Sequence, residues 1–269
     1  MIKNINIFSN SNEKSKEIHN LVKKELNKHN INVSNDITKD SDYNIVIGGD
    51  GTFIKAVHDS KFTSTPFIGI NTGHLGFYND VDKFSAIDSI NKVLNKNYNL
   101  LNLRILECIV NTNCGNFKFK SLNEIVLKAK YASVIHFDLY VNDVLLQTFA
   151  GDGIIFSTPS GSTAYNLSAG GAILYQNIDA FQITPLAPIK SSLHKSLDKS
   201  LVVPKDTKIK LITQRREESH LSLSVDGLQQ EITEINYIDI KLSDDTIQKV
   251  VLDKEWFLKN IKYKFIWMR

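Results

Sequence analysis

The sequence is poor in arginine and in cysteine. Only four of its 32 basic residues are arginines, so the 269-residue chain has few guanidinium groups for two-pronged contacts with phosphate. Its two cysteines, Cys108 and Cys114, are too few for a disulfide framework and lack CxxC spacing, which predicts a reducing cytoplasm. A net charge of +3 with mixed signs gives no strongly basic surface, so no nucleic-acid partner is predicted.

Long apolar runs and prolines are also scarce. No apolar run approaches the roughly 18–20 residues that a membrane span needs, so no membrane partner is predicted. The opening stretch MIKNINIFSN turns polar too early for a secretion signal. Five prolines exclude a collagen-like or proline-rich chain. The length of 269 residues instead predicts one large domain or two ordinary ones.

The hydrophobic pattern changes near residue 100. Before it, short apolar strands alternate with amphipathic helices, which predicts an α/β domain over residues 1–100 with a mainly parallel sheet. After it, stretches of period two separated by turn residues predict an all-β, sandwich-like domain over residues 101–250. One helix is predicted inside that domain, over residues 161–174. The aromatic tail, residues 251–269, is predicted to pack back on the first domain.

Two glycine-containing turns follow buried strands of the first domain. In the first, Gly48-Gly49-Asp50-Gly51-Thr52, the glycines and the following helix suit a phosphate group, since helix N-termini offer unpaired N–H groups. The Asp50 carboxylate would repel phosphate unless it takes a proton from a hydroxyl or holds a metal. A tight turn capped by Asp50 is the alternative.

The second turn, NTGHLGFY, begins at Asn71 and also follows a buried strand. His74 could be a base or a turn histidine that bonds to the backbone. Phe77 could cover an aromatic ligand or pack in the core. Neither alternative is decided by the residues alone.

Two polar motifs lie in the second domain. Asn123 and Glu124 interrupt the apolar alternation of SLNEIVL, and Glu can accept hydrogen bonds from vicinal ribose hydroxyls. The alternative is a solvated edge strand. The longer motif, GDGIIFSTPSGSTAYNLSAGG, joins a buried strand to a hydroxyl-rich segment in which Ser162 or Thr163 is predicted to cap the helix. Tyr165 offers a ring to stack on a base.

Together these motifs resemble those of the NAD kinase family, and the resemblance covers nearly the whole chain. GGDGT is shared with lipid kinases and phosphofructokinases, whereas TPSGSTAY after the Asn-Glu pair is more particular to NAD kinases. The resemblance implies an α/β and a β-sandwich domain with NAD between them. It also implies transfer of the ATP γ-phosphoryl group to the 2′-hydroxyl of the adenosine ribose of NAD, which makes NADP.

The resemblance assigns roles to individual residues. Asp50 matches the general base, and Gly51 a backbone contact beside it. Asn123 and Glu124 match the pair that holds adenosine and ribose groups. The remaining predicted cofactor-binding residues are Phe77, Asp152 and Ala187 (the last two near the nicotinamide), Ser160, and the segment around the diphosphate and adenine, Thr163, Ala164, Tyr165, Asn166, Leu167 and Ser168.

The resemblance also implies Mg²⁺ with ATP, which neutralises charge during phosphoryl transfer, although the sequence contains no dedicated metal site. It implies a homodimer or homotetramer. The chain departs from the family where Ala150 replaces a basic residue, where Leu228 replaces a glutamine, and at Pro188. The loss of the cation at position 150 would weaken NAD binding unless a lysine compensates.

Two other functions remain open at this stage. A lipid kinase of the diacylglycerol or sphingosine type would share GGDGT, but the sequence contains neither an apolar cleft nor a basic membrane face. A non-catalytic NAD-binding regulator would be consistent with Ala150 but not with an intact Asp50. The sequence does not choose between ATP and polyphosphate or between NAD and NADH, and it does not fix oligomer size or NADP feedback.

Overall fold

A computed structural model describes residues 2–35, 41–73, 76–131, 133–190, 196–213 and 221–266. The chain forms two compact units. The first contains Met1–Asn102 and Thr246–Arg269, and the second contains Leu103–Asp245. Two long strands, β6 (Asn99–Thr112) and β17 (Ile235–Val251), contribute residues to both units.

The first unit is an α/β unit. Its other elements are β1 (Asn4–Ser9), α1 (Glu13–Lys28), β2 (Asn32–Ser34), β3 (Tyr43–Gly48), α2 (Asp50–Asp59), β4 (Phe67–Asn71), β5 (Val81–Asp82), α3 (Ala86–Leu94) and α5 (Trp256–Ile261). In this unit β1 pairs with β2 and β3, β3 with β4, and β4 with β5 and β17, each in parallel. The sheet has the order β2-β1-β3-β4, and both β5 and Lys249 of β17 pair with β4.

Local sequence explains the elements that lead to the first glycine turn. In α1, Ile18, Val22 and Leu26 recur every four residues and are buried, and the Asn12 side chain caps the helix by accepting from the Ser15 N–H. Strand β3 is buried along its whole length, as expected for a central strand of a parallel sheet. The last residue of this central strand therefore lies at the carboxyl edge of the sheet, and α2 begins there.

The second unit consists mainly of antiparallel strands. Besides its parts of β6 and β17, it contains β7 (Gly115–Ser121), β8 (Glu124–Ala129), β9 (Ile135–Val141), β10 (Val144–Gly151), β11 (Gly153–Ser157), α4 (Tyr165–Ser168), β12 (Ala180–Leu186), β13 (Leu201–Pro204), β14 (Ile209–Thr213), β15 (Leu221–Val225) and β16 (Leu228–Gln230).

Two sheets of the second unit share one core. One has the order β10-β9-β14-β17, with β6 paired to β17 and to β7, and the other has the order β13-β12-β11-β8-β15-β16. Phe137 and Phe149 from the first sheet and Phe156 and Phe181 from the second belong to one buried cluster. The predicted combination of an α/β part with a mainly parallel sheet and an all-β, sandwich-like part is confirmed.

The single helix predicted over residues 161–174 is wrong. A 3₁₀ turn over Ser160–Thr163 and the short helix α4 replace it, separated by Ala164 at φ −95° and ψ −134°. Gly170 then adopts φ +87°, which no helix accommodates. Beyond it, the Gln182 side chain bonds both backbone groups of Ala172 and holds the chain out of a helix.

Candidate active site

The first glycine turn brings Asp50 to the carboxyl edge of the parallel sheet. Gly49 occupies the N-cap position without a side-chain cap bond, and Asp50 is the first residue of α2, so the alternative in which Asp50 caps the helix is wrong. Gly48 is needed for space, because a Cβ there would lie 2.4 Å from Thr52 Oγ1. Gly51 is exposed, and a Cβ added there would have no other atom within 4 Å.

Backbone N–H groups of the second glycine turn hold the Asp50 carboxylate. Its Oδ2 accepts from the Phe77 N–H at 2.8 Å, and its Oδ1 accepts from the Tyr78 N–H at 2.9 Å. A Cβ at Gly76 would lie 2.0 Å from Asp50 Oδ1, so only glycine fits there. The Asn79 side chain donates to the Gly49 carbonyl at 2.9 Å and ties the two turns together. The result is a half-buried carboxylate with a fixed orientation.

Phe77 itself packs in the core of the first unit. Its side chain is 5% exposed, and its ring centroid lies 5.9 Å from that of Phe257 and 5.9 Å from that of Phe265. The backbone N–H that Phe77 gives to Asp50 is therefore its clearest contribution to the site. His74 and Leu75, in the same turn, lie outside the described residues.

Asn123 and Glu124 lie at the start of β8, where Asp226 orders the backbone. The Asp226 carboxylate accepts from the N–H groups of Leu122, Asn123 and Glu124 at 2.8, 2.6 and 3.1 Å, and from Ser121 Oγ at 2.7 Å. Asn123 and Glu124 are 8% and 6% exposed, so the alternative of a solvated edge is wrong.

The buried Glu124 carboxyl group has a raised pKa and one oxygen without a hydrogen-bond partner among the described residues. Burial raises its pKa to about 8, and the nearby negative charge of Asp226 adds to the rise. Within the described part of the chain, its Oε2 is buried and has no hydrogen-bond partner. A buried polar atom without a partner costs stability, so a ligand hydroxyl, which can both donate and accept, would be bound favourably there.

The hydroxyl-rich turn packs directly against Asn123. Its Thr158 donates to the Asn123 carbonyl through the backbone N–H at 2.9 Å, and to the Leu122 carbonyl through Oγ1 at 2.6 Å. A Cβ at Gly161 would lie 2.1 Å from the Asn123 carbonyl oxygen, so the turn requires glycine. Ser160 is 2% exposed, and its Oγ has no partner among the described residues. The structure thus brings Asn123, Glu124 and Ser160 into one region.

Asn166 is the buried member of the segment that follows. Its Oδ1 accepts from Thr184 Oγ1 at 2.6 Å, whereas its Nδ2 has no partner in the described chain. Neither Ser162 nor Thr163 caps α4, because the Ser162 hydroxyl donates to the Pro159 carbonyl and Thr163 to the Ser160 carbonyl. The other predicted residues of this segment are partly or fully exposed: Thr163, Ala164, Tyr165, Leu167 and Ser168.

Asp152, Tyr165 and Ala187 line a cavity of about 670 Å³ in the second unit, together with Lys128 and Tyr131. The Asp152 N–H donates to the Leu186 carbonyl at 3.0 Å, which places Asp152 beside Ala187. Ala187 adopts φ +41°, a conformation that costs energy for a residue with a Cβ and occurs often at functional sites.

The predicted residues are thus distributed over both units. Asp50, Gly51 and Phe77 belong to the first unit, and the others belong to the second. Of the three departures from the family pattern, Ala150 is 3% exposed in β10, Leu228 is 60% exposed in β16, and Pro188 is half-buried.

Sequence reasoning missed Asp226 and Asn79, which order the backbone around the candidate residues. The Asp-Gly pair at 226–227 is typical of a tight turn, and Asp226 is left-handed there, at φ +48°. No sequence pattern predicts a role for Asn79, because its hydrogen bond to Gly49 depends on how two turns meet in the folded chain.

Two kinds of feature are absent from the described ranges. No helix there is long and apolar enough to cross a lipid bilayer. Over the same residues, no three His, Cys, Asp or Glu side chains lie together in a way that could hold a metal ion.

Two family descriptions match most of the chain. Residues 4–98 match the ATP-NAD kinase N-terminal domain, and residues 122–252 match the ATP-NAD kinase C-terminal domain. The NAD kinase of Finegoldia magna is 42% identical over 271 residues, covering 97% of this chain and 97% of that protein. The NAD kinase of Streptococcus gordonii is 32% identical over 273 residues, covering 98% and 96%.

Solved structures share the fold. Yeast NADH kinase complexed with NADH superposes with a TM-score of 0.87 at 20% identity, covering 100% of this chain and 89% of that chain. An NAD kinase from Archaeoglobus fulgidus in complex with ATP gives a TM-score of 0.77 at 22% identity, covering 95% and 96%. At these identities the likeness shows the fold alone.

Proposed function

The chain belongs to the NAD kinase family and has the function of an NAD kinase, and we propose how its residues carry out that reaction. The reaction transfers the γ-phosphoryl group of ATP to the 2′-hydroxyl of the adenosine ribose of NAD, giving NADP and ADP. The observation that carries the proposal is the Asp50 carboxylate, which two backbone N–H groups orient at the carboxyl edge of a parallel sheet.

Asp50 acts as the general base. A ribose hydroxyl is a poor nucleophile, and a positioned carboxylate takes its proton as the oxygen attacks the γ-phosphorus. The new bond joins the 2′-oxygen to phosphorus, the bond from phosphorus to the bridging β,γ-oxygen breaks, and ADP leaves. The N–H groups of Phe77 and Tyr78 hold both carboxylate oxygens, so the base does not have to be ordered when substrate arrives.

The second unit holds NAD. Asn123 and Glu124 bind the adenosine, and the partnerless Glu124 Oε2 is satisfied by a ribose hydroxyl. Ser160 and the segment from Thr163 to Ser168 bind the diphosphate and adenine, using hydroxyl and backbone N–H groups where arginine is absent. Asp152 and Ala187 bind the nicotinamide end, which the 670 Å³ cavity is large enough to receive.

A divalent cation, Mg²⁺ in the simplest case, enters with ATP. We expect the nucleotide phosphates to be its main ligands. When bound, the ion neutralises the charge that develops on the phosphoryl oxygens.

A homodimer or homotetramer in the cytoplasm completes the proposal. The hairpin that joins β9 to β10 exposes Val144, Leu145 and Leu146 in sequence, an apolar strip that a second copy of the chain would cover. Cys108 and Cys114 are both unpaired, which fits a reducing compartment.

The test is to incubate the purified protein with Mg-ATP and NAD, NADH or diacylglycerol in separate reactions. The proposal expects NADP from NAD, detected by an NADP-specific dehydrogenase. Phosphatidic acid from diacylglycerol would identify a lipid kinase instead. NAD binding without any phosphorylated product would identify a non-catalytic regulator.

A further inference from the structure

Five residues between β4 and β5 form the strip that holds the Asp50 carboxylate. This base-holding strip runs from Gly76 to Asp80, and its Phe77 and Tyr78 supply the two short N–H contacts. The strip has no regular secondary structure along most of its length, so backbone hydrogen bonds within it cannot fix its position. Something outside the strip has to do so.

The carboxyl-terminal segment, residues 246–266, contacts the strip at its first residue. Asn260, on α5, donates from Nδ2 to the Gly76 carbonyl oxygen at 2.7 Å, and this bond is buried. Asn260 is 2% exposed. It lies 184 residues from Gly76 in the chain, so the bond is a tertiary contact rather than a turn.

The same segment contacts the last residue of the strip through a buried ion pair. Lys249 Nζ lies 2.9 Å from Asp80 Oδ1, and the two side chains are 0% and 5% exposed. Burial lowers the pKa of the Lys249 amine. The negative charge of Asp80 and, to a smaller extent, that of Asp50 act in the opposite direction and raise this pKa. The lysine therefore pairs with the carboxylate at the last residue of the strip.

Aromatic packing joins the two contacts. The Trp256 ring lies 4.0 Å from Lys249 Nζ, measured to the ring centroid, and the Phe257 ring packs against Phe77 in the middle of the strip. Phe77, Val251, Trp256 and Phe257 form one buried cluster. The strip is thus held at both ends by polar contacts and in the middle by apolar packing.

We infer that Asn260 and Lys249 are positioning residues for the general base: they fix the two ends of the base-holding strip so that its N–H groups orient Asp50. Neither residue touches the Asp50 carboxylate through a hydrogen bond in the described structure, so both act through the strip. The inference rests on the proposed role of Asp50.

The main test variant is Asn260→Asp. It keeps the shape of the side chain but replaces the donor to the Gly76 carbonyl with an oxygen, which repels that carbonyl. Because small displacements of a catalytic group are costly, kcat for NADP formation is expected to fall between about tenfold and about a hundredfold. The KM for NAD is expected to change by less than about twofold, since Phe77, the strip residue predicted to bind the cofactor, packs its side chain in the core.

The matched control is Asn44→Asp, in β3 of the same unit. Asn44 is 1% exposed, and its Nδ2 donates to the Thr65 carbonyl at 3.5 Å, at the far end of the strand from the glycine turn. Its Oδ1 accepts from Asn6, a bond that aspartate keeps. This variant loses a buried amide donor and some stability, but its kcat is expected to stay within about twofold of the wild-type value.

The double variant Asp80→Asn/Lys249→Met removes the ion pair without leaving a buried charge unpaired. It is expected to fold and to lose kcat while keeping the KM for NAD. If the double variant and Asn260→Asp both kept the kcat of the control, the inference would be overturned.

An activity-independent measurement separates this inference from the proposed function. Amide hydrogen exchange, followed by NMR in the full-length protein, reports on the N–H groups of Phe77 and Tyr78 directly. We expect both to exchange at least about tenfold faster in Asn260→Asp than in Asn44→Asp. Equal exchange would contradict the inference. A wild-type protein that makes no NADP would contradict the proposed function, and the exchange rates would still decide the positioning role.

Discussion

The backbone N–H of Asn123 donates to the Asp226 carboxylate at 2.6 Å, across 103 positions of the chain. The same carboxylate accepts from three further groups of residues 121–124. Asp226 therefore sets the position of the pair that we assign to adenosine, although it was not predicted as a site residue.

Replacing Asp226 with asparagine tests that role. Asn tolerates the left-handed φ of +48° at this position, so the turn is preserved. Its Nδ2 group faces a backbone N–H and cannot accept from it. The lost interaction is worth about 1.4 kcal/mol, so we expect the KM for NAD to rise about tenfold with little change in kcat. Steady-state kinetics with varied NAD measures both constants.

The control for this prediction is Asp143→Asn, in a turn of the same unit. Asp143 is also left-handed, at φ +66°, and it is exposed. We expect no change in the KM for NAD. Equal KM values in the two variants would show that Asp226 does not order the NAD site.

The raised pKa of Glu124 predicts how the ligand-free protein responds to pH. The folded-state pKa of about 8 lies above the ordinary value of 4.5, so the folded form holds a proton that the unfolded form has lost between these values. The free energy of unfolding therefore falls as pH rises from about 4.5 to about 8. Glu124→Gln removes this loss and should be more stable than wild type at pH 8 by at least about 1 kcal/mol.

Urea unfolding at pH 5 and pH 8.5 measures the effect. The exposed Glu231 provides the control, since Glu231→Gln should leave the pH dependence unchanged. A Glu124→Gln variant whose stability falls with pH as steeply as that of wild type would contradict the assignment.

Lys128 is the candidate for the cation that Ala150 lacks. Ala150 is buried, whereas Lys128 lines the same cavity as Asp152. For Lys128→Met we expect the KM for NAD to rise about fivefold, equivalent to about 1 kcal/mol, and the difference to shrink at high salt. Lys118→Met, at an exposed position of β7, is the control and should leave the KM for NAD unchanged. An unchanged KM for NAD in Lys128→Met would show that Lys128 does not replace the basic residue absent at position 150.

The sequence predicts what short-range patterns control. The helical spacing of Ile18, Leu21, Val22 and Leu26 predicts α1, although Leu21 is 52% exposed. The apolar run before Gly48 predicts a buried strand that leads to Asp50. The helix predicted over residues 161–174 failed because small and hydroxyl residues can also form tight turns. There the φ of Gly170 and the reach of Gln182 decide the outcome.

The part of the site that the sequence does not predict consists of contacts between residues far apart in the chain. The bond from Asn260 to Gly76 and the bonds to Asp226 connect positions more than a hundred residues apart. Such contacts depend on tertiary packing, which no local period encodes. Glu124 was recognised by its residue type, but its raised pKa depends on burial that only the folded unit provides.

Asp50→Asn tests the central claim most directly. A positioned base contributes about 10²–10⁴-fold, so we expect kcat for NADP formation to fall by that factor while NAD binding, measured by calorimetry, persists. Asp59→Asn, at the exposed end of the same helix, should keep wild-type activity, because Asp59 pairs only with Lys55 among the ion pairs of the described chain. NADP formation by Asp50→Asn at a near wild-type rate would contradict the role of Asp50 as the base.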